Sequence, residues 1–258
     1  MNCDSYKNMA FRRDGKVLHA SFNRPDFLNA FDPELHDEFE RFIFEVPRDD
    51  ATHVIVLSGV GKAFSAGGDV GEFLTLAPAD LEQWGDTLTS AERCRKPVIA
   101  AIDGFTMGAG LELAVACDFR IATRRSEFAF PEVRLGMIPG SGGTQRALRL
   151  IGMTRAKLFM LTGQRVSAER AEAWGLITQV VADDGLDAAV QALADELASR
   201  PPLALRTLKM VLNRGAEAPL ETALELERKS YAWLRSTHDY EEGVRAFLEK
   251  RTPDYRGR

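Results

Sequence analysis

Two glutamates sit where the sequence offers a carboxylate little solvation. Glu112 lies in Gly110-Leu-Glu-Leu-Ala-Val-Ala-Cys117, a run that would be apolar on every side of a helix. A charge in such a place is costly unless it is hydrogen-bonded or neutralised, so the Glu112 carboxyl is expected to titrate above its ordinary value. Glu132 follows Phe128-Ala-Phe-Pro131 and precedes Val133, again in apolar company and beside a proline that fixes the local backbone. Carboxyls in water-poor sites titrate near neutrality and can both accept and donate a proton, so the pair points to general acid/base chemistry. Each also has a plainer reading. A helix start could turn Glu112 to water or set it favourably in the helix dipole, and Glu132 could pair with Arg134.

Three glycine-containing loops accompany the glutamates: Phe64-Ser-Ala-Gly-Gly-Asp69, Gly104-Phe-Thr-Met-Gly-Ala-Gly110 and Gly136-Met-Ile-Pro-Gly-Ser-Gly-Gly-Thr144. Glycine lets a backbone approach a ligand, although tight turns alone would also use it. Gly108-Ala-Gly110 continues into Leu111-Glu112-Leu113, so the third glycine of a dinucleotide fingerprint is missing. The third loop lacks the Gly-Lys-Ser/Thr ending of a P-loop. His19, His36, His53 and His238 form no metal-ligand spacing. Ser141 sits in Pro139-Gly-Ser-Gly-Gly143, close to a nucleophile elbow but with proline at its first glycine, and no histidine is placed by motif to activate it or Ser65. Serine hydrolysis is a distant alternative.

The elements that must position these residues read as α/β. Residues 17–22, 54–57, 97–102 and 117–122 are short apolar or β-branched runs, expected to be buried strands. Between the first two, Asp32-Pro33 announces a helix with Leu35, Phe39, Phe42 and Ile43 on one face. Strand, helix, strand is the signature of a parallel sheet. From about residue 184 the pattern is helical alone, over 186–197, 203–212, 220–234 and 240–250, with breaks at Pro201-Pro202 and Pro219. Leu224, Leu226, Tyr231 and Trp233 in the third of these suit a partner surface or intrachain packing.

Composition narrows the function classes. With 33 Lys+Arg against 38 Asp+Glu in 258 residues, the chain has no basic excess for phosphate backbones or anionic lipids, so neither nucleic acid nor membrane is an expected partner. Cys3, Cys94 and Cys117 are odd in number and lack a C-x-x-C spacing, which suggests neither a disulfide framework nor a thiolate metal site. The first twenty residues hold no signal-peptide core, and no stretch approaches the roughly 20 apolar residues of a membrane span, so a cytoplasmic protein is expected.

In order and spacing, the chain resembles the enoyl-CoA hydratase/isomerase (crotonase) superfamily from about Val17 onward. The matching motifs are Asn23-Arg-Pro-Asp-Phe-Leu-Asn-Ala30, Ala63-Phe-Ser-Ala-Gly-Gly-Asp69, Lys96-Pro-Val-Ile-Ala-Ala-Ile-Asp-Gly104, Gly108-Ala-Gly-Leu-Glu-Leu-Ala114, Ala129-Phe-Pro-Glu-Val-Arg-Leu-Gly136 and Pro139-Gly-Ser-Gly-Gly-Thr-Gln-Arg146. The resemblance implies an α/β fold, a spiral of ββα units with two sheets, followed by a helical trimerisation region. We divide it at residue 190, with a catalytic core over 1–190 and an oligomerisation region over 191–258.

The implied substrate is an acyl-CoA thioester, with no metal and no cofactor beyond the CoA that is part of the substrate. The implied assembly is a homotrimer or a dimer of trimers. By the same resemblance, the amides of Gly68 and Ala109 form an oxyanion hole. Many relatives have glycine where this chain has Ala109, so the backbone there must tolerate a Cβ. Glu112 and Glu132 match the two hydratase glutamates, one activating water for attack on Cβ and the other protonating Cα. Leu28, Ala30, Ala66, Asp69 and Val70 would follow the thioester and pantetheine. Arg24 would meet the nucleotide phosphates or else form a surface ion pair, and Phe247 and Lys250 would approach CoA from the last helix. Residues 71–90, including Trp84, would line the acyl pocket. Two glutamates favour hydration of a 2-trans-enoyl-CoA. Double-bond isomerisation and a catalytically idle acyl-CoA-binding homologue are the alternatives.

Overall fold

Strands made almost wholly of Val, Ile, Leu and Ala can be satisfied only with both faces covered, which is how strands occur inside parallel sheets. The computed structural model, which describes residues 5–258, lays such strands side by side. β1 (Met9–Asp14), β2 (Val17–Phe22), β3 (Val54–Gly59), β5 (Val98–Ile102), β7 (Phe119–Thr123) and β10 (Gln179–Val181) form one sheet in the order β1-β2-β3-β5-β7-β10. β1 is antiparallel to β2, and the other pairings are parallel. A second sheet, ordered β4-β6-β8-β9, takes the shorter strands β4 (Ala63–Ser65), β6 (Phe105–Met107), β8 (Glu127–Ala129) and β9 (Val166–Ser167).

The chain alternates between the sheets. Each of β3, β5 and β7 is followed by the next strand of the smaller sheet and then, in the first two turns, by a helix, α2 (Pro78–Arg93) after β4 and α3 (Ala109–Ala116) after β6. This is the crotonase-type spiral of ββα units. The glycine-rich loops lie at the ends of these small-sheet strands, which at three residues are too short to show a period in the sequence.

Phenylalanines hold the first turn together. The carboxylate of Asp32 accepts the Leu35 amide at 2.8 Å and Pro33 opens α1 (Pro33–Glu45), so Leu35, Phe39, Phe42 and Ile43 are delivered to the core as the sequence leads one to expect. The Phe22 ring packs edge-on against Phe31 and Phe64, with centroids 5.1 Å and 5.6 Å apart. After the spiral come α4 (Gly143–Ile151), α5 (Met153–Thr162), α6 (Ala168–Trp174), α7 (Leu186–Ala198), α8 (Pro202–Gly215), α9 (Leu220–Leu234) and α10 (His238–Glu249).

The division at residue 190 falls within α7, whose Val190 and Ala194 pack with Val17, Val54, Val56, Ile99 and Ile121 to cover the second face of the larger sheet. An uncovered row of valines and isoleucines would face water without that helix. Beyond it, α8 is pinned to the core by Lys209, whose Nζ donates to Asp118 (2.7 Å) and to the carbonyls of Ala91 (2.9 Å) and Lys96 (3.2 Å). No residue of α9 is fully buried in a single chain, and Tyr231 and Trp233 remain exposed. Cys94 and Cys117 are buried free thiols, and Cys3 lies outside the described residues. Among the described residues no helix is long and apolar enough to cross a membrane.

One buried cation anchors the helix that will matter most. The Arg120 side chain donates to the carbonyls of Ala114 (3.2 Å) and Cys117 (2.7 Å) at the end of α3 and to Leu176 (2.8 Å). Arg120→Met removes all three bonds, leaving the Ala114 carbonyl only the Cys117 amide, and should lower the unfolding free energy by roughly 3 kcal/mol, read from urea denaturation. An unchanged midpoint would show that the carbonyls find other donors.

Candidate active site

α3 is buried from Gly110 to Ala116, and Glu112 in its first turn is only 3% exposed. The reading that turned Glu112 to water therefore fails. Its Oε1 accepts the amides of Ser141 (2.6 Å) and Gly143 (2.8 Å), where the loop 140–143 opens α4. A carboxylate at a helix N-terminus is held by aimed amides and by the positive end of the helix dipole. The approach is close: a Cβ on Gly143 would stand 2.7 Å from the Phe130 ring and 2.8 Å from Glu112 Cγ, so a side chain there would drive the two apart. Burial pushes the Glu112 carboxyl up, the Gly143 and Ser141 amides and the Ser141 hydroxyl pull it back, and Arg146 adds a smaller downward pull. Arg146 itself is anchored to Glu92 of α2. Ser141 thus serves the glutamate and is no elbow nucleophile.

Glu132 arrives from the other sheet. β8 ends at Ala129, Phe130 is buried, and Glu132 starts a short 3-10 turn ending at Leu135. Its Oε2 is buried without a hydrogen-bond partner, and no ion pair joins it to Arg134. Burial raises its carboxyl to about 7; its own backbone amide opposes the rise and the charge of Glu112 adds to it. The two glutamates therefore differ. One accepts two amides from another loop, which suit an anion, and the other has an Oε2 without a partner, which suits a neutral acid.

The same corner presents two backbone amides. Phe31 bridges to Gly68 in parallel fashion, its amide donating to the Gly67 carbonyl (2.8 Å) and its carbonyl accepting from Asp69 N (2.8 Å). That pairing turns the N–H of Gly68 to the opposite side. Ala109 is the first residue of α3, where an amide has no intrahelical acceptor. Gly108, at φ 50°, makes the sharp turn into the helix, and a Cβ there would lie 3.1 Å from Glu132 Oε1. Ala109 needs no such freedom: the non-glycine residues with positive φ are Leu28, Asn29 and Lys250. The alanine therefore supplies its amide from ordinary helical backbone. A Cβ on Gly67 would come within 3.4 Å of Ala109 N, so the two segments abut. Gly68, Ala109, Glu112 and Glu132 all line one cavity of about 170 Å³.

Comparison with known proteins agrees with this geometry. Residues 12–258 match the family model described as enoyl-CoA hydratase/isomerase. The chain belongs to the enoyl-CoA hydratase/isomerase family. It is 36% identical over 249 residues to a short-chain-enoyl-CoA hydratase of Clostridium acetobutylicum, covering 95% of each chain. It is 36% identical over 253 residues to the 2,3-dehydroadipyl-CoA hydratase of Escherichia coli, covering 95% of this chain and 97% of that one. The crystal structure of an enoyl-CoA hydratase from Bacillus anthracis superposes with a TM-score of 0.93 at 36% identity, covering 98% of this chain and all of that one (100%).

The other positions that the resemblance singles out divide into four groups. Ala66 and Val70 line the cavity, with Val70 exposed at its rim. Leu28, Ala30 and Asp69 shape the adjoining loops through their backbones: the Leu28 carbonyl accepts Ala66 N at 2.9 Å, and Ala30 N donates to Phe27 at 3.0 Å. Arg24 is engaged internally, paired with Asp32 at 2.7 Å and donating to the Ala30 carbonyl, so of its two readings the ion pair is the one formed. Phe247 and Lys250 lie at the end of α10, with Phe247 83% exposed, and neither borders the cavity of its own chain.

Sequence reasoning missed the amide donors of the loop 140–143, which the glycines preceding a helix could have indicated. Of the stretch 71–90, Phe73, Leu81, Trp84 and Leu88 border the cavity, the last three as a one-faced helical stripe.

Because the folded carboxyl of Glu132 titrates above its unfolded value, the stability it permits is present at low pH and lost as pH rises through about 7. Between pH 5 and 8 the wild type should lose up to roughly 3 kcal/mol relative to Glu132→Gln in paired urea denaturations. Parallel pH profiles for the two proteins would mean that burial does not perturb this group.

Proposed function

We propose that this family member hydrates 2-trans-enoyl-CoA to 3-hydroxyacyl-CoA. The observation that carries the reading is the unequal carboxyl pair, one whose Oε1 accepts two amides and one whose Oε2 is buried without a partner, both lining a cavity that Gly68 and Ala109 also border. The names of the two relatives, a short-chain-enoyl-CoA hydratase and a 2,3-dehydroadipyl-CoA hydratase, support it.

With the thioester oxygen at the amides of Gly68 and Ala109, a water between the carboxyls attacks Cβ as ionised Glu112 takes its proton. The π electrons move onto the thioester as an enolate. The two amides are already aimed at the oxygen that gains charge, each worth about 3 kcal/mol in comparable sites. The enolate then collapses and Glu132 gives its proton to Cα, from the same face as the water, so addition is syn. Glu112 ends protonated and Glu132 ionised. The pair holds one proton before and after the reaction and two while the enolate exists, and it returns to its starting state by passing the remaining proton from Glu112 to Glu132. Atoms and charge balance without a cofactor or metal, CoA being part of the substrate. Isomerisation moves a single proton and leaves the second carboxyl without a task.

In this reading the pantetheine passes Leu28, Ala30, Ala66, Asp69 and Val70. Phe247 and Lys250 reach the nucleotide from α10 of a neighbouring copy, in a homotrimer or dimer of trimers that covers the exposed rings of α9. Arg24 would contact a phosphate only by releasing Asp32.

Glu112→Gln and Glu132→Gln should each lower crotonyl-CoA hydration by roughly 1,000-fold or more, followed by the loss of conjugated thioester absorbance. Wild-type kcat/KM should fall as pH rises through about 7, where Glu132 loses its proton. A variant with full turnover would end the two-carboxyl mechanism.

A further inference from the structure

The walls of the cavity say what kind of acyl group fits, given the enoyl-CoA reading on which this inference rests. Apart from Glu112 and Glu132, its side-chain lining is apolar except for Ser141, whose hydroxyl serves Glu112. No lysine, arginine or histidine borders it among the described residues. Its walls include the buried Leu88 and Trp84 with Leu81, and Phe73 with Leu135 and Ile138, the last two exposed at the rim.

The Trp84 wall does not yield easily. Its ring is stacked on the buried His36 imidazole, with centroids 4.6 Å apart and planes 6° from parallel. The cation that acts on Glu112, Arg146, is tied to Glu92 and does not border the cavity.

We infer that this protein takes enoyl groups with a neutral, apolar tail and rejects those ending in a carboxylate. A six-carbon dicarboxylic acyl chain lying against Leu81, Trp84 and Leu88 would bring its distal charge against hydrocarbon, with no counter-ion and with the Glu112 carboxyl close by. A buried, unpaired carboxylate is strongly disfavoured, and like charges add to the cost. A hexenoyl tail meets only surface that it can exclude from water.

The test pairs binding with turnover on the full-length, assembled protein. Calorimetric titration with hexanoyl-CoA and adipyl-CoA, which cannot be hydrated, compares the tails alone. Kinetics with 2-hexenoyl-CoA and 2,3-dehydroadipyl-CoA compares the reactions. The neutral member of each pair should be favoured by roughly 100-fold. Equal affinity for the saturated pair, or equal kcat/KM for the unsaturated pair, overturns the inference. Preferential hexanoyl-CoA binding with no hydration of either enoyl-CoA supports the inference about the tail and sinks the hydratase reading instead.

Discussion

The arrangement turns on one buried carboxylate and the two amides that hold it. Glu112 is carried inward by a helix with no polar face, and such a charge would be expelled or neutralised were it not met at once by Ser141 N and Gly143 N. Meeting it requires α4 to begin within hydrogen-bond reach of α3, and the absence of a Cβ at Gly143 is what allows that approach. α2 is drawn into the same arrangement, because its Glu92 anchors the Arg146 of α4. The far end of α3 is fixed as firmly, by the Arg120 guanidinium on its last carbonyls. The helix is thereby held at both ends, and the Ala109 amide at its start is fixed with it.

The second carboxyl has different surroundings. Glu132 is partly buried, has no donor on Oε2 and feels the charge of Glu112, conditions that favour its proton against the pull of its own backbone amide. The difference between two chemically identical side chains therefore comes from their surroundings: amides from another loop reach one carboxyl and not the other.

The alternation between two sheets explains how four groups from distant parts of the chain reach one small cavity. Each turn of the spiral leaves the large sheet, adds a short strand to the small one and departs at its end. Gly68 follows β4, Ala109 follows β6 and Glu132 follows β8, and these three strands are parallel neighbours in the sheet, β4 meeting β6 through a register shift. Their ends are therefore adjacent by construction, and α4 closes the remaining side. Tail selection follows from the same economy, since polar groups are concentrated at the strand ends and the walls beyond them are hydrocarbon.

Several of these features are legible in the sequence because they are local. The apolar neighbours of Glu112 and Glu132 mark both as desolvated, Asp32-Pro33 marks the start of α1, and the valine-rich runs mark β2, β3 and β5. The strands of the small sheet are too short to carry a period. α7 looks like the first helix of an appendage because its dependence on Val17, Val54 and Ile121 is invisible along the chain. Backbone donors have no residue-type signature either, so the amides that hold Glu112 could not be told from those of any glycine loop, and Arg24 gave no sign of its bond to Asp32. By itself the sequence determined which side chains would be deprived of water, since that depends on hydrophobic neighbours a few residues away. The tertiary structure alone decided which of the two glutamates receives amide donors, because those of residues 141 and 143 reach Glu112 only when the start of α4 is brought to the first turn of α3.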